Sequence, residues 1–334
     1  MTDPIPPDLA EKAVLTVLGG MSLSVAARLA GLPSGTLAEA LGLYRAAGLA
    51  ALTDHAATAA TGTWLQVYVQ PASWPHAERD FATHLGPHLR QAENCGAVQA
   101  WWYVRKHPCW RIRLHPGPAA TTESLRETVG RRLDTLQNEG VVTAWWPGIY
   151  EPETPALGGP AGIAAAHRLF HADSRAILTD AQWNSTATVR PPVGRPELSL
   201  LLCSHFLRAA GQEWSEQGDV WHRVAQMRPT PKQHQGSEAQ LSGKIGRLLV
   251  ADTAALTGPG GRLEQAGAWA SAFHNAGRDL AAAAHRGELT RGLRVVLAHL
   301  VIFHWNRASI PTIAQGALAR AARDHILGPP DSGA

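Results

Sequence analysis

The side chains most able to do chemistry crowd into Tyr150–Ser174, YEPETPALGGPAGIAAAHRLFHADS. Pro152 and Pro155 keep its first residues out of a helix, because each removes an amide donor and drives the preceding residue to extended geometry. Glu151 and Glu153 then fall on one side of an extended segment, where paired carboxylates act as acid and base if their surroundings split their pKa values. The alternative is ion pairing with arginine. Gly158-Gly159-Pro160 turns the chain into a helix over Ile163–Leu169, with Pro160 in the tolerant first turn. His167 and His171 stand four apart and share a face. With Asp173 their spacing could hold zinc, but Arg168 occupies the place of the glutamate in an HExxH pattern. No metal is therefore expected, and the histidines read as capping or core groups. Asp173-Ser174 is expected to cap a separate helix, Arg175–Ala181.

Arginines supply the second constellation. Arg111 and Arg113 alternate on one face of a strand, and Arg105 lies on the strand before it. Like charges so placed repel unless an anion or carboxylates lie between them. Either they form a pocket for a glutamyl or peptide carboxylate, or they pair with Glu151 and Glu153. No GxGxxG, GxxxxGK[ST] or GxSxG occurs in a fitting context, which lowers dinucleotide, nucleotide and serine-hydrolase readings.

The elements that must hold these groups are legible from periodicity. Trp64–Val69, Trp101–Arg105, Arg111–Leu114 and Val141–Trp146 alternate as strands, with a His107-Pro108 turn between the second and third. Helices are predicted over Pro75–Gln91 and over Thr122–Glu139, the latter stopped by Gly140. Strand, helix, strand, strand, helix, strand is the order of a split βαβ unit. Beyond Gly159 the chain reads as helices: Glu197–Gln212, Val220–Val224, Ser237–Leu256, Leu263–Arg286 and Thr290–Trp305. Arg228–Gly236 and Thr257–Gly261 read as exposed loops. Ahead of the sheet, Leu9–Leu18, Ser24–Ala30 and Ser34–Ala47 form a small helical module with helix-turn-helix proportions, Ser34 serving as a cap. Thr36, Glu39, Tyr44 and a single Arg45 give a reading helix almost nothing for phosphates or base edges, so a helical cap or peptide-docking module is favoured over DNA binding. Asp54–Thr63 reads as a linker. The fold class is α+β: a split βαβ-type sheet region, a mostly helical C-terminal half and a small N-terminal helical module. The expected boundaries are 1–53, linker 54–63, and 64–330.

Length and composition set outer limits. The 334 residues, 45% hydrophobic and 17% charged, belong to a globular chain of two units or one large unit with an appendage. Net charge is only +3, yet 26 of the 30 basic residues are arginine, Lys12, Lys106, Lys232 and Lys244 being the rest. Arginine forks suit carboxylates, which favours a peptide or carboxylate ligand over nucleic acid. Cys95, Cys109 and Cys203 have no CxxC spacing, so neither disulfides nor a zinc knuckle is indicated. No signal peptide and no bilayer-length apolar run is visible, so a cytoplasmic protein with no membrane partner is expected.

Four groups of residues carry a resemblance: Tyr103-Val104-Arg105 with Arg111-Ile112-Arg113-Leu114; Tyr150-Glu151-Pro152-Glu153 with Gly158-Gly159; Leu169-Phe170-His171-Ala172-Asp173-Ser174; and His304-Trp305-Asn306-Arg307. In this order, from Trp64 to about Gly328, the chain resembles the thiopeptide-type bacteriocin biosynthesis domain, a relative of the C-terminal elimination domain of lantibiotic dehydratases and of thiopeptide pyridine synthases.

The resemblance implies a peptide-modifying, lyase-type enzyme working on a leader-bearing, ribosomally made precursor. Dehydratase domains of this kind remove glutamate from glutamylated serine or threonine, which requires a base at the α-carbon, a stabiliser of enolate-like charge and a seat for the leaving carboxylate. Pyridine synthases join two dehydroalanines in a formal [4+2] cycloaddition. Neither reaction calls for a redox cofactor, and none is expected. The implied roles are catalysis by Arg105 and His304, and substrate contacts from Arg111, Arg113, Tyr150, Glu153, His171, Ser174, Asn306 and Arg307. The chain departs from the elimination pattern in two places. Aligned on Asn306-Arg307, the slot of the catalytic histidine holds Ile302, and the arginine of the Tyr-x-x-Glu-x-x-Arg run is absent, Ala156 standing there and Pro152 just upstream. A third possibility is a non-catalytic partner that presents peptide to a separate dehydratase or glutamylation protein.

Overall fold

The computed structural model describes residues 6–61, 64–186, 192–229 and 245–328. By its internal packing the chain forms two compact units, Met1–Ala60 and Thr61–Ala334.

The first unit holds α1 (Pro7–Leu18), α2 (Leu23–Leu29) and the start of α3 (Ser34–Thr61) around Val14, Ala26, Ala27, Leu37 and Leu41. Two local expectations change here. Ser34 is the first helical residue rather than the cap, and α3 does not stop near Ala47 but runs through the stretch read as a linker as far as Thr61. Residues 46–60 are alanine-rich and lack proline, so helix propensity carries the chain past Gly48.

The second unit opens with a four-stranded sheet: β1 (Leu65–Pro71), β2 (Val98–Lys106), β3 (Cys109–Pro116) and β4 (Val142–Gly148), in the order β2-β3-β1-β4. Every neighbouring pair is antiparallel, so β1 and β2 run the same way with β3 between them, which is the split βαβ arrangement. The first crossover is two helices, α4 (Ala77–His84) and α5 (Gly86–Asn94), rather than one over Pro75–Gln91. Pro87 cannot donate back to Thr83, and the helix restarts around it. The second crossover, α6 (Thr122–Asn138), starts in a reciprocal cap between Thr121 and Ser124 and ends before Gly140, whose φ of 73° is left-handed.

The rest is helical: α7 (Gly159–Thr186), α8 (Arg195–Ala209), α9 (Trp214–Met227), α10 (245–249), α11 (Thr253–Thr257), α12 (Gly267–His285), α13 (Leu293–Arg307) and α14 (Thr312–Leu327). The short Val220–Val224 prediction grows to the whole of α9, and α14 has no counterpart in the sequence reading. Of Ser237–Leu256, residues 237–244 lie outside the described residues and the remainder breaks at 250–252. Most of the expected loop Arg228–Gly236 is likewise outside. The largest correction concerns α7, one uninterrupted helix where a stop and a new cap at Asp173-Ser174 were expected. Both side chains bond to other elements, so they do not compete for the backbone of their own helix. A single core runs from the sheet through α7 into the C-terminal helices, with Trp101, Trp102, Trp110, Trp221 and Trp305 fully buried. Among the described residues no helix is long and apolar enough to cross a membrane.

Candidate functional site

Strand register sorts the arginines by face. Trp102, Arg113, Gln66 and Gly148 lie side by side across β2, β3, β1 and β4, and the next row in the same pleat is Val104, Arg111, Tyr68 and Trp146. Arg111 and Arg113 therefore share a face, as their spacing requires. Arg105 sits opposite Trp110 and belongs to the other face. There it pairs with Glu78 of α4 at 2.7 Å and lies over the rings of Trp110 and Trp74.

The Arg113 row is covered and the Arg111 row is half open. Arg113 is 4% exposed, held between the rings of Trp102 and Tyr150 with its carbon Cζ 4.1 and 4.6 Å from their centroids. Its Nε donates to Gln66 Oε1 at 2.8 Å, and Gln66 Nε2 donates to the Ile149 carbonyl, which ties β3, β1 and the segment after β4 together. Nη1 of Arg113 is buried without a hydrogen-bond partner, and so is Oε2 of Glu153. Arg111 lies over Tyr68, which stacks on the 42%-exposed Trp146 with centroids 5.5 Å apart. Glu151 is exposed while Glu153 is partly buried. Among the described residues neither forms an ion pair with Arg111 or Arg113.

Tyr150 completes the arrangement. Gly158 and Gly159, with φ of 85° and 86°, turn the chain from Tyr150 into α7 so that His167 comes back beneath the tyrosine. Tyr150 Oη and His167 Nε2 are 2.7 Å apart, and Trp64 packs against Tyr150, His167 and His115. Burial pushes the Tyr150 phenol above its ordinary pKa against the opposing pull of Arg113. Burial, followed by Arg113 and His115, lowers His167 to about 4. Both groups are neutral near pH 7, so the contact is a hydrogen bond between a neutral phenol and a neutral imidazole. Burial also lowers the Arg113 guanidinium, with Tyr150 and Glu153 opposing. A fixed cation with a spare donor, a hydrogen-bonded phenol–imidazole pair and an unpaired carboxylate oxygen thus gather beside an aromatic face that opens at Trp146. Such a set can hold a carbonyl or carboxylate and move a proton beside it.

The remaining expected site residues form two further groups along α7. His171 Nδ1 lies 3.1 Å from the Trp101 amide and Ser174 Oγ accepts from the Tyr103 amide at 3.3 Å. These amides belong to β2, a sheet edge, so α7 satisfies donors that no strand pairs. His171 Nε2 also faces Glu93 at 3.3 Å. One face round, Asp173 is wholly buried: Oδ1 accepts from Trp269 and contacts His304 Nδ1 at 2.9 Å, and Oδ2 accepts from Arg307 Nε at 2.7 Å. His304 Nε2 meets Ser199 Oγ at 2.7 Å, so both ring nitrogens of this fully buried histidine are engaged. Asn306 bonds to Gln315 of α14, and Ile302 is buried. The structure brings Arg111, Arg113, Tyr150 and Glu153 together and sets Arg105, His171, Ser174, His304, Asn306 and Arg307 apart from them. Gln66, Trp64 and the Tyr150–His167 contact escaped the sequence reading. The signal for Gln66 was its parity, a polar residue at an inward position of an apolar strand.

With this geometry in view, the family described as lantibiotic biosynthesis dehydratase C-term matches residues 64–326. The chain belongs to that family. The family serves the biosynthesis of ribosomally made peptide antibiotics, and the match covers the whole of the sheet and all but the end of α14. Among solved structures, the fold is similar to the tRNA dependent lantibiotic dehydratase MibB from Microbispora sp. 107891, at 18% identity and a TM-score of 0.58 over 79% of this chain and 28% of that one. The chain thus spans little more than a quarter of MibB. It is also similar to TsrL (17% identity, TM-score 0.52, 81% of this chain and 100% of that one). The third is TbtD, a pyridine synthase from thiomuracin biosynthesis (11%, 0.51, 79% and 97%). At these identities the likeness is one of fold. Among curated proteins, none is significantly similar in sequence. Among the described residues, no three His, Cys, Asp or Glu side chains gather so as to hold a metal ion.

Proposed function

We propose that the chain matures a leader-bearing, ribosomally made peptide by moving protons at its dehydrated serine-derived residues, with Arg113, Tyr150 and His167 at the reacting centre. The observation that carries this reading is the spare Nη1 of Arg113, a buried donor fixed by Gln66 and two rings beside the neutral Tyr150–His167 pair. Two dehydroalanines can join by formal cycloaddition when the amide between one of them and the preceding residue reacts as its iminol tautomer. A proton leaves the amide nitrogen and a proton arrives on the carbonyl oxygen. Two carbon–carbon bonds then form, one between the methylene carbons and one from the iminol carbon to the α-carbon of the other alkene. Loss of water and of the leader-side amide aromatises the ring without exchange of electrons with a cofactor. Glu153 receives the amide proton and Tyr150, oriented by its hydrogen bond to neutral His167, supplies the proton for oxygen; water then returns a proton to Tyr150 and takes one from Glu153, and Arg113 steadies the oxygen. Holding the two alkenes together supplies much of the acceleration.

A second reading, glutamate elimination, draws support from the family's description and from the shared face of Arg111 and Arg113, which suits a glutamyl carboxylate. Because Arg105 is bound to Glu78 and His304 to Asp173 and Ser199, this reading moves the carboxylate seat to Arg113 and the base to His167. Mass spectrometry of a cognate precursor separates the two. A macrocycle from dehydrated peptide, lost in Arg113→Gln, supports cycloaddition, whereas glutamate loss from glutamylated peptide supports elimination. No change in either substrate, with leader binding intact, would leave the chain a non-catalytic partner of a separate dehydratase or glutamylation protein.

A further inference from the structure

A cavity of about 1120 Å³ opens along α7 from His171 to Trp183, walled by α5, the start of α8 and the segment 262–269. It is separate from the Arg113 row. At 1.5 Å per residue its far end lies roughly 24 Å along α7 from His167. Four arginines line it, Arg90, Arg175, Arg195 and Arg262, against one carboxylate, Asp180. Asp180 and Glu78 are both spent on Arg195, and Glu78 is shared with Arg105. Arg175 meets Glu93 only loosely, at 3.6 Å. Arg90 donates to a neutral partner, Gln182, and Arg262 is exposed and makes no ion pair among the described residues. Among the described residues the cavity therefore carries at least two cations, Arg90 and Arg262, without a carboxylate partner, and Trp183 and Trp269 also line it.

We propose that this cavity binds an acidic segment of the peptide substrate. The chemistry of the wall selects carboxylates, since the Arg195 fork already grips Asp180 and Glu78 in that way. Its size exceeds the roughly 300–1,000 Å³ of small-molecule pockets and suits an oligopeptide. A whole-chain charge of +3 offers no general pull on a nucleic acid. An extended chain at about 3.3 Å per residue would cover the distance to the reacting centre with roughly seven residues, so carboxylates that far from the modified serines would set the register of the substrate. The identity of the segment rests on the peptide-maturation reading; the cavity's preference for carboxylates does not.

The test is fluorescence anisotropy of the full chain with a fluorescein-labelled glutamate-rich peptide of about eight residues, its glutamine isostere and an oligonucleotide of equal charge. The expected result is binding of the glutamate peptide that is at least about tenfold tighter than that of the isostere, weakens with salt, and falls at least about tenfold in Arg90→Gln/Arg262→Gln. Arg131→Gln, on the exposed side of α6, should leave it unchanged. Equal binding of the two peptides by the wild-type chain would overturn the proposal even if the double variant failed to fold. An unchanged affinity in the double variant, tighter arginine-dependent binding of the oligonucleotide, or displacement by free glutamate at peptide concentrations would each overturn it as well. Binding is read without turnover: a chain that binds but makes no product fails the catalytic reading alone, and one that makes product but prefers neither peptide fails this one alone.

Discussion

Tyr150 Oη and His167 Nε2 lie 2.7 Å apart, joining the segment after β4 to the first half of α7 directly beside the Arg113 guanidinium. Removing the hydroxyl while keeping the ring separates chemistry from packing. Tyr150→Phe should slow product formation by roughly 10²–10⁴-fold, the usual contribution of a positioned acid or base. Stability should fall by only about 1 kcal/mol, the net worth of one hydrogen bond. Single-turnover mass spectrometry and urea titration read the two; an unchanged rate would remove Tyr150 from the reaction.

His167 makes a prediction about acid. Its pKa, lowered by burial to about 4, means that below pH 6.5 the unfolded chain takes up a proton that the folded chain refuses. Stability from this residue is complete above pH 6.5, declines as pH falls, and levels off below about 4. The loss is on the order of 3 kcal/mol. Denaturant midpoints measured between those limits should flatten in His167→Gln; an identical slope in the variant would show that other groups carry the acid sensitivity.

Arg113 is predicted to be irreplaceable by lysine. Lys keeps the charge but cannot both satisfy Gln66 and present a second planar donor. Arg113→Lys should lose most turnover, by about 10²–10³-fold, while precursor binding by anisotropy stays close to wild type. Full turnover in this variant would show that only charge is needed there.

Asp173 is predicted to matter for folding. Burial alone would raise its pKa, but His304 and Arg307 hold the carboxyl below the usual range. Its contribution is therefore present above the ordinary carboxylate pKa of about 4 and lost as pH falls below it. Asp173→Asn strands Arg307, whose terminal nitrogens already lack partners, and should cost about 3–5 kcal/mol. Ser174→Ala, which leaves only the Tyr103 amide unpaired, should cost about 1–3 kcal/mol. Calorimetric melting of both variants checks the order; an Asn variant as stable as wild type would contradict the network.

Alternation was enough to find the four strands, and the order of strands and helices was enough to expect the split βαβ sheet. It also placed Arg111 and Arg113 on one face. What local pattern could not reveal was decided by distant partners. Asp173-Ser174 has the composition of a cap, yet His304, Arg307 and a β2 amide claim both side chains and α7 continues through them. His304 looked reactive by its place in the sequence, and only packing reveals that both its nitrogens are occupied. Arg105 and Arg111 stand close in the chain, but the tight turn at His107-Pro108 gives them opposite parity. The Tyr150–His167 contact depends on the turn at Gly158-Gly159, whose direction no periodicity encodes.

The side chains that α7 lays along β2 leave the sheet with one edge open to another strand, β4, and that edge contains Pro147, which has no amide hydrogen to offer. Growth of the sheet by an added strand is therefore discouraged on both sides. A peptide substrate of the proposed kind would then lie across the face of the sheet to reach the Arg113 row, read by rings and side chains rather than by main-chain pairing. If the peptide-maturation proposal holds, selectivity of that kind would tolerate N-methyl or proline residues away from the modified positions and would let one scaffold accept precursors that share chemical groups but little sequence.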